Sequence, residues 1–338
     1  MPILTDRSQG SFGRRRMLEI VRQVVLNGRH GLTPPAGAAL PLKAKGEHQC
    51  PRANGLQSES PGTPASAMPT GREVGRYRVG AVSLAADVRG EGPALLLLHG
   101  FPLDRAMWRH QVAALTRWRR IAPDLRGAGA SDAPESGYSM AAYADDLAGL
   151  LDRLGVARAV VAGLSMGGYV AFELWRRHRD RIMGLILVDT RSDADGGDAR
   201  RGRDELAAVA RAEGPAGVAE RMLPRLLGRS TRRTQPALVE RVREMVGRSS
   251  VPGIVGALGA MRDRPDSTAL LPTIDVPVLV VVGEEDEVTP PAVARSMVAA
   301  VPSAVMTTIP GAGHLSPLEA PAAVNRVLGR FLEAIPAA

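Results

Sequence analysis

Two hydrophobic periodicities take turns along the chain from Arg72 onward. Tyr77–Val79 and Val82–Val88 alternate apolar and polar positions, which predicts a hairpin of β-strands. Ala94–Leu98 is a continuous apolar run that ends at His99-Gly100, the pattern of a strand buried on both faces. Helical spacing at Met107–Leu115 gives way to a short strand at Arg119–Pro123. Met140–Leu154 repeats its apolar positions with a helical period and puts Asp145 and Asp146 toward water. A strand at Ala157–Leu164, a helix at Gly167–Arg177 and a strand at Ile182–Val188 follow. Such alternation predicts an α/β protein with a mostly parallel sheet and helices on both faces.

Residues 191–266 break the alternation. They are Arg-rich and read as helices near 204–213, 215–227, 236–247 and 252–261, with no apolar strand run. Strand signals return at Val278–Val282 and Ala304–Ile309, with a helix at 291–300 between them and another at 321–333 after them. The expected organisation is a core made of residues 71–190 and 267–338, with a helical cap, 191–266, inserted after the sixth strand. Residues 1–70 differ from both parts: they hold eight prolines and eight glycines. Beyond Met17, Ile20, Val21, Val24 and Val25 they show little periodicity, so a disordered extension is expected, with Met68 as an alternative start. A basic helix touching a membrane or partner is the competing reading.

Composition narrows the class without changing this picture. Of 338 residues, 45% are hydrophobic and 23% charged, ordinary for a folded soluble chain, so wholly disordered and collagen-like classes are excluded. The single Cys50 cannot form an internal disulfide and leaves no cysteine cluster for zinc or iron–sulfur chemistry, so no metal or cofactor is expected. The formal net charge is +8, yet residues 1–70 alone carry nine Lys/Arg against four Asp/Glu. Only Lys43 and Lys45 are lysines, and aromatics reach just 3%, so stacking platforms for bases are not evident and no nucleic-acid partner is expected. No stretch reaches the roughly 18 apolar residues of a membrane span. Arg14-Arg15-Arg16 has a faint twin-arginine look, but Glu19, Arg22 and Arg29 interrupt the apolar region that should follow, so a cytoplasmic location is expected.

The chemistry concentrates where the apolar strand Ala157–Leu164 meets a helix, at Gly163-Leu164-Ser165-Met166-Gly167-Gly168. G-x-S-x-G in this context describes a serine on a sharp turn, tolerated because its neighbours two residues away lack bulk. The turn lifts the hydroxyl above the sheet at a helix N-terminus, where free N–H groups favour negative charge. An incidental serine in a glycine-rich turn is the bland alternative.

A nucleophilic serine needs a base. His30 and His48 lie in the extension, His110 and His178 fall on helices among arginines, and His99 closes a buried strand. His314, in Pro310-Gly311-Ala312-Gly313-His314, sits on a glycine-flanked loop after a strand and is the best base by elimination. The loop Gly283-Glu284-Glu285-Asp286-Glu287 follows another strand; Asp286 is the favoured third member, with Glu285 and Asp189 as rivals. The order Ser165…Asp286…His314 is the one expected for hydrolases of this architecture. Oxyanion donors would be the backbone N–H of Met166, next to the serine, and of Phe101, in the loop after Ala94–Leu98. Asp124–Ser131 lacks the order of a nucleotide-binding loop and reads as a structural turn organised by Asp124 and Arg126.

With these pieces placed, the chain resembles the α/β-hydrolase superfamily over about residues 72–338. The resemblance rests on H-G-F-P at 99–102, D-L-R-G-A-G-A-S at 124–131, G-L-S-M-G-G at 163–168, G-E-E-D at 283–286 and G-A-G-H at 311–314. G-L-S-M-G-G and G-A-G-H-L-S-P-L-E-A-P look like the bacterial 3-oxoadipate enol-lactonases and their esterase relatives. The resemblance implies Ser165, Asp286 and His314 as triad, Phe101 and Met166 as oxyanion donors, and a cap after the sixth strand. Serine at 165 argues against the epoxide-hydrolase and haloalkane-dehalogenase branches, which use a carboxylate nucleophile.

The expected activity is metal-free hydrolysis of small carboxylic esters or lactones through an acyl-enzyme. Perhydrolase or cofactor-free haloperoxidase-like activity on the same triad, or slow-turnover ligand binding on the same scaffold, are the alternatives. Arg126 and arginines of 191–266 are candidates to meet a substrate carboxylate, with surface solvation as the competing account for the latter.

Overall fold

The computed structural model describes residues 73–335. The expectations for residues 1–70, including the short helix near Met17 and the lone Cys50, lie outside the described residues. Eight strands form one sheet: β1 (Glu73–Val79), β2 (Val82–Arg89), β3 (Ala94–Leu98), β4 (Arg119–Pro123), β5 (Ala159–Leu164), β6 (Ile182–Val188), β7 (Val278–Gly283) and β8 (Ala304–Ile309). Their spatial order is β1-β2-β4-β3-β5-β6-β7-β8, and only β2 runs against its neighbours. The continuous apolar runs occupy the middle: β3, β5, β6 and β7 are buried along their whole length, because helices cover both faces.

The helices are α1 (Arg109–Ala114), α2 (Met140–Arg153), α3 (Met166–His178), α4 (Gly197–Leu226), α5 (Arg229–Thr234), α6 (Pro236–Gly247), α7 (Val251–Arg262), α8 (Pro291–Ala300), α9 (Ser316–Glu319) and α10 (Pro321–Glu333). The stretch expected to be one helix from Met107 divides into a 3₁₀ turn, Arg105–Trp108, and α1; Asp104 caps the turn by accepting from the Ala106 N–H at 2.8 Å. Strand β1 begins at Glu73, earlier than its alternation suggested, and β5 begins two residues later, at Ala159.

Helices α4 to α7 lie between β6 and β7. The two helices expected at 204–213 and 215–227 run on as α4 across a kink at Gly214, whose φ of 68° breaks helical geometry ahead of Pro215. Short α5 has no counterpart in the sequence reading. Val218, Leu223, Val242, Val246, Ile254 and Leu258 join the same buried cluster as the sheet residues. The helical segment therefore shares the core instead of standing apart from it.

One expectation about α2 is wrong in an informative way. Asp145 is exposed and meets Arg177 and His178, but Asp146 is buried and bonds Arg126 through both carboxylate oxygens, at 2.7 and 2.8 Å. Consecutive helix positions diverge by about 100°, so Asp146 turns with Tyr143, Leu147 and Leu150 toward the core. The Arg126 guanidinium makes that burial tolerable.

Candidate active site

Ser165 stands between the end of β5 and the start of α3 with φ 52° and ψ −113°, left-handed backbone that a non-glycine residue rarely adopts. The turn is held from outside: the Ser165 N–H donates to the Val188 carbonyl at 3.0 Å, and the Thr190 hydroxyl donates to the Ser165 carbonyl at 2.8 Å. A Cβ on Gly163 would overlap the Gly167 carbonyl, and a Cβ on Gly167 would overlap the Leu98 carbonyl. Both glycines are thus required by close backbone approach, as the spacing around the serine implied.

The structure brings the three side chains picked from distant loops into one chain of hydrogen bonds. His314 Nε2 lies 2.9 Å from Ser165 Oγ, and His314 Nδ1 lies 2.9 Å from Asp286 Oδ2. His314 and Asp286 are buried, at 2% and 3% exposure. Asp286 also accepts from the N–H groups of Val288 and Thr289, at 2.8 and 2.9 Å, and from the Thr289 hydroxyl at 2.7 Å. Burial pushes the Asp286 carboxyl up, but its electrostatic interaction with His314, with hydrogen bonds from His314 and Thr289, outweighs it and holds the group below the usual carboxylate range. An ionised Asp286 is an acceptor only, so the ring nitrogen facing it carries the proton and Nε2 offers a lone pair to the Ser165 hydroxyl.

The two rival carboxylates go elsewhere. Glu285 accepts from the Ser230 N–H and hydroxyl, tying the Asp286 loop to α5. Asp189 is fully buried, with φ 45°, just past the end of β6. It accepts from the Gly283 N–H at 2.7 Å and from the N–H and hydroxyl of Ser316, at 3.2 and 2.6 Å. Asp189 thereby fastens the root of the Asp286 loop to the start of α9, two residues after His314. Burial, then the Asp286 charge, pushes its carboxyl well above the usual range.

Sequence reasoning also missed Glu319. Its buried carboxylate accepts from the N–H groups of Gly313, Leu315 and Gly228, each at 2.9 Å, and so braces His314 from both sides. Glu319 lies inside the quoted G-A-G-H-L-S-P-L-E-A-P stretch, which carries no local sign of this role.

Met166 opens α3, so its N–H has no acceptor within the helix. Phe101 follows Gly100 on the loop after β3, where the Leu103 N–H closes a turn onto the Gly100 carbonyl at 3.0 Å. His99 fixes that loop: its Nδ1 lies 3.0 Å from the Gly100 carbonyl and its Nε2 accepts from the Leu125 N–H at 2.9 Å. Burial, opposed by Asp124, lowers the His99 pKa, in keeping with a neutral ring that donates from one nitrogen and accepts at the other. Phe101 and Met166 line a half-open cavity together with Leu103, Tyr143, Ile254 and Ala257.

Asp124 accepts from the Arg105 and Ala130 N–H groups, each at 2.8 Å, and forms an ion pair with the Arg105 side chain. This is the structural turn expected of residues 124–131. Arg126 lines the cavity, but its charge is spent on Asp146, so it is not the free cation the sequence suggested. Among the described residues no three His, Cys, Asp or Glu side chains gather in a metal-binding cluster, and no helix is long and apolar enough to cross a membrane.

The family profile described as the alpha/beta hydrolase fold matches residues 93–321, and the chain belongs to that family. A thermophilic esterase from Thermogutta terrifontis, solved with malate bound, is 42% identical and superposes with a TM-score of 0.75 over 77% of this chain and 98% of that one. The enol-lactonase from Burkholderia xenovorans LB400 is 30% identical, with a TM-score of 0.72 over 77% of this chain and all of that one (100%). Epoxide hydrolase 2 of Siraitia grosvenorii is 44% identical, but only over 101 residues, 29% of this chain and 32% of that protein.

Proposed function

We propose that the chain is a serine hydrolase that cleaves small carboxylic esters or lactones. The observation that carries this reading is the continuous relay from Ser165 Oγ through His314 to Asp286, with 2.9 Å at each step. In the forward half-reaction Ser165 Oγ attacks the substrate carbonyl carbon while His314 Nε2 takes the hydroxyl proton. The carbonyl oxygen becomes an oxyanion held by the Met166 and Phe101 N–H groups. Collapse expels the alcohol, or opens the lactone, with the proton returned from His314, and leaves an acyl-Ser165 ester. Water, deprotonated by His314, then attacks that ester and releases the acid and the free serine. Asp286 holds the imidazole in the required tautomer and stabilises the imidazolium.

The likeness to an esterase and to an enol-lactonase, over 77% of this chain, supports this chemistry over epoxide opening, since the epoxide-hydrolase likeness is short and residue 165 is an alcohol. We further propose that α4 to α7 act as a cap: Ser249 Oγ donates to the Pro102 carbonyl at 3.1 Å and Arg248 pairs with Asp104, both against the Phe101 loop. A panel of 4-nitrophenyl esters, γ- and δ-lactones and styrene oxide tests the reading. Turnover of an ester or lactone with no epoxide opening is expected; epoxide hydrolysis without ester or lactone turnover would overturn it. Adding acetate and peroxide to the same protein measures whether peracid formation outruns ester cleavage, the outcome that would favour a perhydrolase.

A further inference from the structure

Tyr143 is buried on α2, 1% exposed, and lines the same cavity as Phe101 and Met166. Among the described residues its hydroxyl has no hydrogen-bond partner. Most of the cavity wall around it is apolar, with Phe101, Leu103, Met166, Ile254 and Ala257. Arg126, also in the wall, already gives Nε and Nη2 to Asp146 and Nη1 to the Gly137 carbonyl. The Tyr143 ring is held edge-on to Tyr138, with centroids 6.3 Å apart. Buried hydroxyls in folded proteins are ordinarily paired, and this one is not.

We infer that the Tyr143 hydroxyl is the hydrogen-bond donor of an acyl subsite, and that the preferred acyl groups carry an oxygen acceptor, such as an oxo group, a few atoms from the scissile carbonyl. This deepens the ester-hydrolase reading and rests on it. The Ser249 hydroxyl and the His99 ring in the same wall are already paired, and an apolar pocket with one unpaired neutral donor selects by that donor: an acyl chain with a matching oxygen satisfies the hydroxyl, and a plain alkyl chain leaves it unpaired. A neutral donor also suits an uncharged oxygen better than a carboxylate, whose charge would enter an apolar pocket where the nearby cation is already paired. Burial raises the Tyr143 pKa, so the group remains O–H throughout the range in which hydrolysis is measured.

The test compares 4-nitrophenyl pentanoate with its 3-oxo and 4-oxo counterparts on the wild type and on Tyr143→Phe. The wild type should favour one oxo ester over pentanoate by about tenfold in kcat/KM, the scale of a single added hydrogen bond. Tyr143→Phe should erase that preference, so that the ratio of oxo-ester to pentanoate kcat/KM falls to about one, and its melting temperature should not fall, because only an unpaired buried hydroxyl is removed. A second measurement needs no variant: as inhibitors of the wild type, 4-oxopentanoate or 3-oxopentanoate should compete more strongly than pentanoate. Equal loss on all three esters, a preference retained in Tyr143→Phe, or no discrimination by the wild type would overturn the inference. A wild type inactive on every ester and lactone would instead overturn the hydrolase reading beneath it.

Discussion

Replacing Ser165 with Ala is expected to lower hydrolysis of 4-nitrophenyl acetate by at least about 10⁴-fold, since removing the nucleophile of such a unit leaves only binding and the oxyanion donors. The substitution takes away the one oxygen that His314 Nε2 approaches, at 2.9 Å, and nothing else in the relay. The protein should stay folded, because the strained turn depends on Ser165 backbone bonds to Val188 and Thr190 that alanine keeps. A melting curve alongside the rate measurement separates the two effects. Activity within tenfold of wild type would remove Ser165 from the chemistry.

Asp286→Asn is the second large effect. The amide can turn its NH₂ toward His314 Nδ1, which favours the opposite imidazole tautomer with Nε2–H pointing at Ser165. That tautomer cannot accept the serine proton, and a loss of about 10⁴-fold in kcat is expected, the scale of the same change in a serine-protease triad. Because Asp286 is held below the usual carboxylate range, it is ionised at neutral pH and its own titration does not set the acid limb of the rate profile. Asp189→Asn is the companion variant. It loosens the clasp between Gly283 and Ser316 but leaves the His314–Asp286 pair in contact, so its kcat should fall much less. Retained activity in Asp286→Asn with loss in Asp189→Asn would transfer the acid's role to Asp189.

How much of this was legible in the sequence follows from how local each feature is. The core strands β3, β6 and β7 read directly from apolar runs, because burial on both faces removes the polar positions that would blur them. Ser165 was legible because its turn is made by residues two positions away, Gly163 and Gly167. His314 needed elimination, and Asp286 could be favoured over Glu285 and Asp189 but not separated from them. What separates them is tertiary: Thr289 and His314 face Asp286, Ser230 faces Glu285, and Gly283 with Ser316 faces Asp189. Asp146 was misread for the same reason, since its partner Arg126 comes from a loop 20 residues earlier and leaves no periodic trace. The unpaired hydroxyl of Tyr143 had no sequence signal, because an absent partner is visible only once every neighbour is in place.

The central claim, that the side chain of Ser165 is made nucleophilic by a buried imidazole, is tested most directly by covalent trapping. The protein is incubated with a fluorophosphonate, which phosphonylates activated serines, and the adduct is located by intact mass and peptide mapping. One adduct per chain, on the peptide carrying residue 165, with labelling slowed by several orders of magnitude in His314→Ala, is the predicted result. Labelling spread over other serines, or a rate on residue 165 that does not change when the imidazole is removed, would contradict the account.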